Sequence, residues 1–170
     1  MTLERHDRLA VEEDRVRVVE RVETLGAEFA AVVRLLDTAE QRLCLEELDS
    51  WEAWQEWREA ITAYYRAQPY WGCPIGSMVN ELAGSHDQVA AAAQSVMADW
   101  QRLLQTGIEH MIAASLLRSD TDAQRLARSI LAILQGGLLM TKTTRTEEPL
   151  LDALDTIFLT LRAHAVDPAR

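Results

Sequence analysis

Cysteine is nearly absent from this sequence: Cys44 and Cys73 are the two thiols in 170 residues, and they form no CxxC arrangement. That spacing excludes a disulfide scaffold and points to a reducing, cytoplasmic setting. Lysine is scarcer still. Of the 17 basic residues all but Lys142 are arginine, interleaved with 27 acidic ones for a formal net charge of −10. With no basic cluster to displace counterions from a phosphate backbone, the chain alone is not expected to bind DNA. Glycine (7) and proline (4) are too few for a linker or a disordered tail. No apolar run follows Met1 as in a signal peptide, and none reaches the roughly 18 residues that span a bilayer, so no membrane partner is expected. The alternating pattern of strands is missing as well.

What remains is helical periodicity, and the expected fold class is all-α, an antiparallel bundle of about six helices. Val18, Val22, Leu25, Phe29, Val32 and Leu36 recur at steps of three and four, which predicts a long amphipathic helix reaching back towards Arg8. Asp49 with Glu52 resembles a capping box opening a helix from about Ser50 to Arg66, whose stripe is Trp54, Trp57, Ile61 and Tyr64. Gly72, Pro74 and Gly84 punctuate a short helix. Ser85 with Gln88 opens a longer one running to about Leu117, with Gly107 as a possible bend. Asp120 or Ser119 caps the next, ending near Thr143. Thr146, Glu147, Glu148 and Pro149 suit the first turn of the last helix. The organisation expected is a single domain: residues 1–48 a long helix and connection, 49–165 the functional helices, 166–170 a tail.

Residues 130–140, ILAILQGGLLM, are apolar all round, with two adjacent glycines. Such a helix must be covered on every side, and periodicity leaves two solutions open: the centre of a monomer core, or a seam between two chains. Each glycine costs about 1 kcal/mol against alanine in a helix interior, which calls for compensation by close helix approach.

Three stretches carry a resemblance: WGCPIGSMVNELA at 71–83, MADWQRLLQTGIEHMIAASLLRSDTDAQRLARSILAILQGGLLMTKTTR from Met97, and the closing PLLDALDTIFLTL. Together, over about residues 49–163, they resemble the C-terminal regulatory domain of the TetR family of transcriptional repressors. The resemblance implies a small, apolar or aromatic effector and a homodimer whose last two helices pair in a four-helix bundle. It also implies DNA binding through a separate N-terminal helix-turn-helix. No such head is legible in residues 1–48, where seven Arg face ten acidic residues up to Arg42. A free-standing ligand-binding or heterodimerising module that never meets DNA is therefore the alternative.

Five Trp and five Met are generous for this length, and aromatics with pliable thioethers line pockets for flat, greasy molecules, although any one of them reads equally well as core. The resemblance places the effector among the helices carrying Trp54, Tyr64, Trp100 and Met111, with Trp57 and Met78 beside them. Asn80 and Gln135 are the amides expected to orient a ligand, Gln135 serving equally well at a dimer seam. The seam is expected to hold Leu131, Gln135, Gly136, Gly137 and Leu138, with Leu154, Phe158 and Leu161 of the last helix. Cys73, with no Lys, Arg or His nearby in sequence, reads as packing. The four histidines are scattered without metal-ligand spacing, no nucleophile stands near a base, and neither an enzyme nor a cofactor is expected.

Overall fold

The computed structural model describes residues 48–77 and 87–167. The expected helix through Val18–Leu36, the Ser85 cap, Met78 and Asn80 lie outside them. Four helices carry the described fold: α1 (Trp51–Arg66), α2 (Asp87–Ala113), α3 (Ala123–Thr144) and α4 (Glu148–Arg162). A further helical turn forms at 74–77, and among the described residues the sole β-type pairing is an isolated bridge between Leu117 and Ala165. The fold is all-helical, as the periodicity requires.

The helix starts differ in detail from the expected ones. Ser50, not Asp49, caps α1, its hydroxyl accepting from the Ala53 amide at 3.2 Å. Asp122, not Ser119 or Asp120, caps α3, accepting from the Arg125 amide at 2.9 Å, while Asp120 pairs with Arg118. Helix α2 stops at Ala113, short of Leu117, because Ser115 turns to φ 59° and the amides of Leu116 and Leu117 fold back onto the Met111 carbonyl. That turn is held against the end of α4 by Arg118 N donating to His164 O and Val166 N donating to Leu116 O, at 2.9 and 3.1 Å.

Helix α3 is the axle. Leu126, Ala127, Ile130, Leu131, Leu134 and Leu138 are buried in the chain's own core, with Leu150, Leu154, Ile157 and Leu161 of α4. Gly137 marks the α3–α4 crossing: a Cβ there would lie 2.5 Å from Ala153 Cβ and 2.9 Å from the Pro149 carbonyl oxygen. Close approach thus offsets the propensity cost of this glycine. Gly107 is explained by contact too, because a Cβ there would strike the side chain of Leu48. Leu48 in turn accepts on its carbonyl oxygen from the Trp54 indole at 3.1 Å. Helix α1 lies along α4, tied by the Arg58–Asp155 ion pair and by Arg162 stacked 5.0 Å from the Trp51 ring centroid.

Candidate functional site

The segment after α1 turns sharply at Gly72, whose φ of +85° few residues other than glycine adopt. The turn presses on α3: a Cβ at Gly72 would sit 2.9 Å from both the Leu138 carbonyl oxygen and Lys142 Cβ. Cys73 follows, buried, and starts the helical turn at 74–77. Its sulfur accepts from the Gly76 amide at 3.4 Å, its carbonyl from Ser77 N and Oγ at 2.9 Å, and Pro74 takes the first helical position, where no amide is needed.

Between this turn, the first half of α2 and the middle of α3 lies a cavity of about 450 Å³, within the range of small-molecule sites. The turn contributes Cys73, Gly76 and Ser77; α2 contributes Ala90, Ala93, Gln94 and Met97; α3 contributes residues 135–142 on one face. Small side chains at Gly76, Ala90, Ala93 and Gly136 leave the space, and Met97, Leu138 and Leu139 make its walls apolar. Among the described residues its one charged lining residue is Lys142. Gln135 lies across it: the amide oxygen rests against Gly76, 3.0 Å from where a Cβ would be, and the buried Nε2 has no hydrogen-bond partner among the described residues.

The described residues among those expected to hold an effector lie outside this cavity. Trp54 and Met111 are fully buried and Trp57 nearly so, the two indoles meeting edge to face at 5.5 Å in the core. Tyr64 is half-buried with its ring edge-on to Tyr65 at 5.1 Å, and Trp100 is half-buried against the same core. None of the five lines the cavity. They carry packing, and the space is made one turn before Trp100, at Met97. Of the expected seam, Leu131, Leu138, Leu154 and Leu161 are core residues of the single chain, and Gly137 is covered by α4. Phe158 is half-buried, Gln135 lines the cavity, and Gly136 is exposed with nothing within 4 Å of its would-be Cβ. The apolar surface left on these helices is Leu139 (50% exposed) and Met140 (52%) on α3, and Leu159 (71%) on α4.

A second, smaller cavity of about 320 Å³ lies on the other side of the Gly72 contact, lined by Tyr65, Pro69, Tyr70 and Trp71 and bordered by an ion pair between Arg66 and Glu147. The guanidinium reaches both carboxylate oxygens, at 2.6 and 3.0 Å. The hydrogen bond from Arg66 holds the Glu147 carboxyl below the usual carboxylate range. A carboxyl lowered in the folded state contributes stability above its unfolded pKa, about 4.3 for Glu, and that contribution is lost as pH falls through the lowered value. Glu147→Gln should therefore melt lower than wild type at neutral pH, with the gap closing as the buffer is taken below the usual carboxylate range; thermal melts across a pH series check this. Both side chains are exposed, and the effect should be small. Among the described residues no group of His, Cys, Asp or Glu is placed to hold a metal ion, and no helix is long and apolar enough to cross a membrane.

The comparisons with known proteins accord with this architecture. The family model described as "Tetracyclin repressor-like, C-terminal domain" matches residues 50–157, and the chain belongs to that family. Among solved structures, a TetR-family transcriptional regulator from Cytophaga hutchinsonii superposes with a TM-score of 0.68 at 20% identity, covering 81% of this chain and 71% of that one. At that identity the likeness speaks for the fold. No curated protein matches the chain.

Proposed function

We infer that this chain is the effector-binding and dimerisation part of a TetR-type transcriptional regulator, one in which a small molecule relieves DNA binding by a separate helix-turn-helix. The observation that carries the reading is the apolar cavity between the 73–77 turn, α2 and α3. It is of ligand size and it holds a buried amide nitrogen that the protein itself does not satisfy. The turn that forms one wall also bears on α3 through Gly72, so a molecule seated in the cavity touches the helix that carries the exposed apolar stripe. Ala132, Gly136, Leu139, Met140 and Thr143 fall at helical steps on that outer face and are all exposed. It is the surface through which a second copy would pack, and α4 exposes Leu159 as well. An effector would act only by its difference in affinity between two arrangements of the pair.

The test is a thermal melt of the chain against a library of apolar and planar compounds. A ligand that binds the native state alone raises the melting temperature by mass action, with about 2.7 kcal/mol of added stability at a hundredfold excess over Kd. A broad library that moves the melt nowhere would remove the effector reading.

A further inference from the structure

Gln135 is one of two side-chain amides on α3, the other being Gln124 in its first turn, and its setting is asymmetric. Its oxygen faces the 73–77 turn, close enough to Gly76 that a Cβ would sit at 3.0 Å, while its Nε2 is buried with no partner among the described residues. Buried amide hydrogens are rarely left without an acceptor in native proteins. Of the neighbours that share the cavity, Met97, Leu138 and Leu139 offer no oxygen on their side chains, the Ser77 hydroxyl is turned to the Cys73 carbonyl, and Gln94, the other amide that lines the cavity, makes no hydrogen bond to it. An acceptor on a molecule that enters the cavity would satisfy it.

We propose that the cavity takes an apolar molecule bearing a carbonyl oxygen, as a ketone or an ester does, and that the Gln135 Nε2–H donates to that oxygen and selects for it. The inference rests on the effector reading and names the class of molecule. A donor aimed at the ligand discriminates against an isostere lacking the acceptor, because that isostere would leave the amide hydrogen unpaired. Among the described residues Lys142 is the sole charged one that lines the cavity and no carboxylate does, so these walls offer nothing to a cation.

The probes are 2-acetylnaphthalene, its isostere 2-isopropenylnaphthalene, in which C=CH2 replaces C=O, and the (2-naphthylmethyl)trimethylammonium cation. Affinities are read by equilibrium dialysis on the whole chain. Wild type should hold the ketone about tenfold tighter than the alkene and should not hold the cation. Gln135→Leu should lose that preference, and Gln135→Met, which keeps the unbranched shape, should lose it equally; helical circular dichroism establishes that both are folded. Equal binding of ketone and alkene by wild type, a ketone preference surviving in both variants, or retention of the cation would overturn the proposal while leaving an apolar effector site in place. Failure of all three probes to bind would overturn it too, and the effector reading would then be decided separately by the melting screen.

Discussion

Gly137→Ala should lower the melting temperature by about 4–12 °C, while Gly136→Ala, one residue away, should raise it slightly in the single chain. At Gly137 the new methyl would meet Ala153 Cβ at 2.5 Å and the Pro149 carbonyl oxygen at 2.9 Å. Backbone cannot swing aside as a side-chain tip can, so α3 and α4 must part. Overpacking of this kind costs about 2–3 kcal/mol, and in a chain of this size each kcal/mol moves the melt by about 2–4 °C. At Gly136 nothing lies within 4 Å, and alanine gains about 1 kcal/mol of helix propensity. Differential scanning calorimetry on the two variants separates the cases. In the proposed pair of chains, a loss at Gly136 as large as at Gly137 would mean that the second copy packs closely on that position. Leu138→Glu belongs with Gly137: Leu138 is wholly buried in the chain's own core, so a carboxylate there should unfold the chain instead of freeing one subunit from another.

Met140→Glu combined with Leu159→Glu should give a folded monomer. Both side chains are more than half exposed in the single chain, so each substitution leaves the core untouched and costs a lone subunit within about 0.5 kcal/mol. If the outer face of α3 and α4 is the seam of a two-fold dimer, each carboxylate appears twice there, desolvated and without a partner. The wild type should then scatter light as about twice 19.2 kDa and the double variant as a single chain of unchanged helicity. A wild type that is monomeric at micromolar concentration, or a double variant that stays dimeric, would remove this face from the account.

The helices were legible in the sequence because their periodicity is strong; their ends and their surroundings were less so. Asp49 and Ser50 are both good caps, as are Ser119, Asp120 and Asp122, and composition alone does not say which carbonyl the first turn will use. The all-round apolarity of residues 130–140 was visible, but not how much of it the chain would cover by itself. Helix α2, helix α4 and the Gly72 turn take Leu131, Leu134, Gly137 and Leu138, and what is left outside is the small-residue stripe with Leu139 and Met140. Apart from Gln135, the cavity was not legible in the sequence for a related reason. Large aromatics such as Trp54 and Trp57 attract attention as ligand contacts, yet they fill space, and a cavity forms where volume is withheld. Gly76, Ala90, Ala93 and Gly136 are that signal, and they surround the amide of Gln135, which was legible as buried.

Hydrogen–deuterium exchange read by mass spectrometry, with and without the compound that raises the melting temperature most, locates the bound molecule. Exchange should slow in peptides covering residues 73–77, 90–97 and 135–142, which wall the cavity, with no direct protection of the Trp54–Trp57 turn of α1. Protection centred on Trp54, Trp57 and Met111, with the 73–77 turn and the Gln135 segment unchanged, would place the ligand in the aromatic core and contradict the site described here.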